Sequence, residues 1–242
     1  MPAGAARLGA VRAVLFDFDG TLVEQRVDFA RMRREALAVL AAHGVDPAPL
    51  AGMHVLEMVE RAGRALVARD PLRGAARAEA LAADARRAIE DVECQGAASA
   101  RALPGAAALL GDLRARGMGV GIVTRNCRVA VERVLARLVR ECDALEYDVL
   151  LTRDDVPHVK PDPRHLQAAL DRLGVAGAEA AMCGDHPMDI AAGRGVGACT
   201  VGVLPAGQGP EYMAAAAPDL VVGGVAELRA PLGLGPAGGE RR

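Results

Sequence analysis

Residues 11–16, Val-Arg-Ala-Val-Leu-Phe, make a short, nearly continuous apolar run that stops at Asp17. Such a run predicts a strand covered on both faces. From about residue 28 to residue 100 the texture changes to Ala, Leu, Arg and Glu at helical spacing. Val55, Val59, Ala62 and Leu66 recur at i, i+4, i+7 and i+11, one stripe of a helix. Breaks at Gly44-Val45-Asp46-Pro47, at Asp70-Pro71 and near Gly96 divide the stretch into three or four helices. It contains no candidate strand.

Beyond Pro104-Gly105 the pattern alternates. Helices are predicted over 106–116, 129–140, from Pro163 to Leu173 and from about Met188, with strands at 119–124, 148–152, 180–183 and 200–204. A last strand–helix pair follows at 220–222 and 225–229, and the Gly- and Pro-rich end from 233 to 242 reads as disordered. Strands alternating with helices predict a parallel sheet covered on both faces, an α/β, Rossmann-like three-layer core. The all-helical stretch interrupts that core after its first strand. The predicted organisation is a discontinuous core, 1–23 with 102–242, and an inserted helical cap, 24–101.

Composition sharpens this picture in three places. The chain has 242 residues, enough for a core with a smaller insert. Aromatic residues are only 2% and Trp is absent, so the core must be packed from Ala, Val and Leu. The formal charge is −2, with acids and bases mixed along the chain, which predicts neither a nucleic-acid polymer nor a membrane surface as partner. Five cysteines (94, 127, 142, 183 and 199) are odd in number, widely spaced and free of any CxxC pair. Reduced thiols in a cytoplasmic protein are the expectation, because a disulfide framework or a metal cluster needs closer pairing. The N-terminal stretch reads as neither a signal peptide nor a membrane span.

In an open parallel sheet, ligands bind beyond the carboxyl ends of the strands. The first strand delivers Asp17 and Asp19 there, and the strand over 119–124 delivers Thr124, Arg125 and Asn126. Lys160 follows the next strand in Lys160-Pro161-Asp162-Pro163, and the strand over 180–183 leads into Gly184-Asp185, with Asp189 four residues later. Several carboxylates at one edge repel one another unless a cation lies among them, and a set of hard oxygen donors suits Mg²⁺. A lysine and a threonine hydroxyl suit the oxygens of an anion. An aspartate can attack phosphorus to form an aspartyl phosphate, and a second carboxyl nearby can move the proton.

These residues resemble the four motifs of the haloacid dehalogenase superfamily. They are "DFDGTLV" at 17–23, Thr124, Lys160 within "KPDP", and "GDHPMD" at 184–189, in the right order. The resemblance covers the core and is closest to the phosphoglycolate phosphatase-like members, whose helical cap lies between the first two motifs. Spacing agrees: only 36 positions separate Thr124 from Lys160, against about a hundred from Asp19 to Thr124. The resemblance implies Asp17 as nucleophile and Asp19 as general acid and base. It also implies Mg²⁺ held by Asp17, the main-chain carbonyl of Asp19 and Asp185, with Asp189 as a direct or water-mediated ligand. Thr124 and Lys160 would bind the phosphoryl group, and Gly20, Thr21, Arg125 and Asn126 would assist in binding substrate. The implied substrate is a small phosphorylated metabolite: a phosphoglycolate-like acid, a sugar phosphate or a nucleotide.

Each residue also has a plainer reading. Asp19-Gly20 is a common turn dipeptide, Thr124 suits any strand, Lys160 could be solvated, and Asp189 could be a charge on a helix face. His186 reads as an exposed loop residue and Cys127 as buried filler rather than a nucleophile. The ordered set of four motifs favours the catalytic reading. Two alternatives share the fold: a phosphomutase of the β-phosphoglucomutase type, and a phosphate-binding regulatory protein without catalysis. A dehalogenase is disfavoured, because those relatives lack the second acid that is Asp19 here. The segment Glu24-Gln25-Arg26-Val27-Asp28 departs from the phosphoglycolate phosphatase-like pattern, and it bears on the substrate rather than on the chemistry.

Overall fold

The computed structural model describes residues 3–24 and 27–235. The departing segment's Gln25 and Arg26, and the end of the tail from 236 to 242, lie outside the described residues. The chain divides into two compact units, Met1–Gln25 with Ala100–Arg242, and Arg26–Ser99.

The larger unit is built on β1 (Ala13–Phe16), whose four residues are all buried. After the short strand β2 (Val23–Glu24), this unit resumes at β3 (Arg101–Ala102), which pairs antiparallel with β2. Glu24 and Arg101, read from sequence as cap residues, therefore face each other in this pair. Strands of two residues carry no readable period, so sequence gave no sign of them. Helix α1 (Ala3–Leu8) precedes β1.

The rest alternates as expected. In order come α5 (Ala106–Ala115), β4 (Gly119–Val123), α6 (Arg128–Arg140), β5 (Val149–Leu151) and α7 (Arg164–Leu173). Then follow β6 (Ala180–Gly184), α8 (Pro187–Gly195), β7 (Cys199–Val203), the short α9 (Glu211–Ala214) and β8 (Leu220–Val222). Residues 225–229, expected as a helix, form a 3₁₀ turn. The main sheet is parallel throughout, in the order β5-β4-β1-β6-β7-β8. The chain winds outward from β1 through β4 and β5, then returns to β1's other side as β6. The carboxyl ends of β4, β1 and β6 therefore lie side by side where the winding reverses.

One core layer packs Leu15, Val123, Leu151, Leu166, Leu170 and Met182 between the sheet and α7. It contains no aromatic residue. Phe16 and Phe18, two of the chain's three phenylalanines, are fully buried elsewhere in this unit.

The smaller unit holds α2 (Phe29–Ala42), α3 (Val55–Arg69) and α4 (Gly74–Ala97). Asp28 caps α2, its carboxylate accepting the Arg31 amide at 2.8 Å. In α3 the buried stripe is Met58, Ala62 and Leu66, while Val55 and Val59 are only partly buried at its edge. The inward face is thus turned slightly from the one that the valines suggest. Among the described residues, no helix is long and apolar enough to cross a membrane.

Candidate active site

Backbone pairing places the candidate residues just past the strand ends. The Asp17 amide donates to Cys183 O at 2.8 Å, extending the β1–β6 ladder by one step, and the Thr124 amide donates to Leu151 O at 2.9 Å. Beyond Asp17 the chain folds back on itself. The amides of Leu22 and Val23 both donate to Phe18 O at 3.0 Å, and that of Gly20 to Val23 O at 2.8 Å. Gly20 has φ +83°, a conformation that side chains resist, and a Cβ there would strike the Asp185 carboxylate. A Cβ at Gly184 would likewise strike the Asp189 carboxylate. Two glycines thus open the space in which the acids meet.

Asp17, Asp185 and Asp189 each bring a carboxylate oxygen within 4.8 Å of the other two. Lys160, 1% exposed, inserts its ammonium among them, at 2.7 Å from Asp17 Oδ1 and 2.7 Å from Asp189 Oδ1. Burial alone would lower the Lys160 pKa; the charges of Asp17 and Asp189 outweigh it and raise the value instead. One lysine cannot neutralise three acids. Burial, followed by the charges of Asp17 and Asp189, pushes Asp185 up to about 8. Asp189 is pushed up to about 6, mainly by burial, with Asp17 adding to the rise and Lys160 opposing it. Three carboxylates, buried or half-buried, in excess over one cation and all hard oxygen donors, fit a divalent ion such as Mg²⁺.

Asp189 is 1% exposed, so it is not a surface helix charge. Its Oδ2 accepts the His186 amide at 3.1 Å in a capping box at the start of α8. His186 is half-buried rather than exposed, and its Nδ1 accepts the Met188 amide at 3.2 Å. The Asp19 carboxylate lies outside the acidic triad. Its Oδ2 accepts a hydrogen bond from Asn126 Nδ2 at 3.0 Å, with the Thr124 hydroxyl at 3.5 Å.

The loops around the acids are held by their own hydrogen bonds. The Gly20 amide and the Thr21 amide (to Phe18 O, 3.4 Å) donate within their own loop, and Thr21 is fully buried. Both residues thereby shape the loop that follows Asp17 and Asp19. Arg125 donates to Lys160 O at 3.0 Å and touches Met188 Sδ, tying the loop after β4 to the lysine loop and to α8. Cys127 is buried, as read, but also caps α6, its sulfur accepting the Ala130 amide at 3.4 Å.

Sequence reasoning passed over two neighbours. His165 is fully buried and its Nδ1 accepts the Lys160 amide at 3.3 Å. Burial and then the Lys160 charge push its pKa down to about 3, so the ring is a neutral acceptor. Burial and then the charges of Asp185 and Asp189 raise the Tyr212 phenol, which places that side chain within reach of the acids' field. The position of His165 five residues after Lys160 was a weak signal, and nothing in sequence marked Tyr212.

The sequence profile of the haloacid dehalogenase-like hydrolases matches residues 11–197, more than three quarters of the chain. The chain belongs to that family. A phosphoglycolate phosphatase from Rhodospirillum rubrum is 34% identical over 236 residues, 95% of this chain and 94% of the relative. A pyrophosphatase, PpaX, from Bacillus cereus is 39% identical over 117 residues, 48% of this chain and 53% of its own. Among solved structures, a HAD phosphatase from Thermococcus onnurineus aligns with a TM-score of 0.58 at 24% identity, covering 94% of this chain and 100% of that one. A hydrolase from Pseudomonas syringae aligns with a TM-score of 0.56 at 25% identity, covering 87% and 92%. These structures share the parallel, Rossmann-like α/β fold described above.

Proposed function

We propose that this hydrolase is a Mg²⁺-dependent phosphatase that removes the phosphoryl group of a small phosphorylated metabolite through an aspartyl phosphate on Asp17. The observation that carries the reading is the meeting of Asp17, Asp185 and Asp189, with the buried Lys160 ammonium paired to Asp17 and Asp189. Asp17, Asp185, Asp189 and the main-chain carbonyl of Asp19 would hold the ion. When bound, Mg²⁺ offsets charge on the phosphoryl oxygens and on the acids.

The protein's own groups account for the rest. An Asp17 oxygen attacks phosphorus, the bond from phosphorus to the ester oxygen breaks, and Asp19 gives its proton to the departing alkoxide. Asp19 then takes a proton from water as that water's oxygen attacks phosphorus, releasing phosphate and restoring Asp17. Asn126 holds Asp19 in place for both transfers. Lys160 and Thr124 bind phosphoryl oxygens, with Arg125 and His165 fixing the lysine loop from two sides. The helical unit 26–99 takes the part of a cap that excludes water and selects substrate. Likeness to the phosphoglycolate phosphatase along nearly the whole chain supports a phosphoglycolate-like acid as substrate. The cysteines, all free, support action in the cytoplasm.

The test is phosphate release from a panel of phosphorylated acids, sugars and nucleotides, with Mg²⁺ or with EDTA, for the wild type and Asp17→Asn. The reading expects release from at least one ester, lost on chelation and lost in the variant. Release that survives in Asp17→Asn overturns it, as does an inactive wild type across the whole panel.

A further inference from the structure

The opposite end of the strands carries an open cavity of about 600 Å³, lined by Arg12, Arg114, Arg116 and Arg172 above Met118 and Leu173. Arg12 immediately precedes β1 and Asp17 immediately follows it. At about 3.3 Å per strand residue, the cavity and the acidic triad stand roughly 16 Å apart.

Its lining holds four arginines against one acid. Asp148 is the only acid among the lining residues, and both of its oxygens are engaged: Oδ1 by Arg114 Nε at 2.9 Å and Oδ2 by the Val120 amide at 2.9 Å. Glu146 and Glu179, which do not line the cavity, accept from Arg114 at 3.1 Å and Arg12 at 3.2 Å, and so hold those two guanidinium groups in place. Arg116 is held by Gly233 O at 2.7 Å. Arg172 makes no hydrogen bond or ion pair with any described residue. Gly117, at φ +74°, leaves its side of the wall open.

Arginines in the last turns of α5 and α7 also balance the negative ends of those helices. That accounts for Arg114 and Arg172 one at a time. It does not account for Arg12, which precedes a strand, nor for four guanidinium groups converging on one concavity. A concave wall with arginines in excess over acids draws an anion, and guanidinium forks match phosphoryl oxygens. The volume suits a small molecule.

We propose that this cavity is a second anion site, separate from the acidic centre, which takes a small molecule carrying two or more phosphoryl groups. Methylenediphosphonate, which resists hydrolysis, serves as the probe. It is titrated into ¹⁵N-labelled, metal-free protein while glycine amide signals are followed. Gly117 and Gly119 report on the cavity; Gly20 and Gly184 report on the acidic centre. The proposal expects saturable shifts at Gly117 and Gly119, weakened at least tenfold in Arg172→Glu and in the double variant R116A/R172A. Turnover of any ester hydrolysed by the wild type should stay within about twofold in Arg172→Glu. Since the exposed Arg172 side chain holds nothing in place, Arg172→Glu tests the site without disturbing the fold. Shifts confined to Gly20 and Gly184, or an unchanged titration in both variants, overturn the proposal.

Discussion

Replacing Lys160 by Met keeps an unbranched stem of similar length and removes the single buried cation of the acidic centre. The Lys160 ammonium lies 2.7 Å from an oxygen of Asp17 and 2.7 Å from one of Asp189, and the residue is 1% exposed. At an effective dielectric constant near 20, unit charges about 3 Å apart attract by roughly 5 kcal/mol. Two such attractions are set against the cost of taking the ammonium and the acids out of water, so their sum is not the loss expected. Removing one partner of a buried pair typically costs about 3–5 kcal/mol, because the other charge is stranded. Metal-free Lys160→Met should therefore be about 3–5 kcal/mol less stable than the wild type at pH 8. The deficit should be smaller at pH 5, below the raised values of Asp185 (about 8) and Asp189 (about 6), where both acids hold protons. Urea denaturation followed by circular dichroism in EDTA at the two pH values measures the difference. Equal midpoints at pH 8, or a larger deficit at pH 5, would refute the claim that Lys160 holds buried acids together.

Two further outcomes follow from the same geometry. Asn126→Ala removes the 3.0 Å hydrogen bond to Asp19, and a bond to a charged group contributes about 1.5–3 kcal/mol. Steady-state kinetics should show kcat/KM lowered by roughly ten- to a hundredfold with an unchanged circular dichroism spectrum, and a loss under twofold would remove Asn126 from the machinery. Asp185 and Asp189 bind protons more tightly folded than unfolded, so metal-free protein holds extra protons from about pH 4 to about pH 8. Its stability should fall as pH rises through that window and flatten when Mg²⁺ is added; thermal melts in EDTA and in Mg²⁺ compare the two.

The strands were legible because each is a short apolar run, and the acids because they stand where those runs stop. Asp17 and Asp185 follow from strand ends alone, and Asp189 from its distance along the first turn of α8. The same logic fails for β2 and β3, whose two residues show no alternation, and for α9, whose four residues show no helical stripe. Side-chain direction was equally hidden. That Arg125 turns toward Lys160 O, and that His165 accepts the lysine's own amide, depends on how two loops meet in space. The basic cavity was illegible for the same reason: its arginines, at 12, 114, 116 and 172, are far apart in sequence and meet only because the strands are parallel.

The most direct test of phosphoryl transfer through Asp17 is to trap the acyl phosphate. The enzyme, turning over a phosphate ester with Mg²⁺, is quenched in acid and reduced with borohydride, which converts an acyl phosphate to a primary alcohol. Its peptides are then read by mass spectrometry. Reduction is expected at Asp17 alone, dependent on both ester and Mg²⁺. Reduction at a different carboxylate, or no reduced residue in an enzyme that is demonstrably turning over, would contradict it.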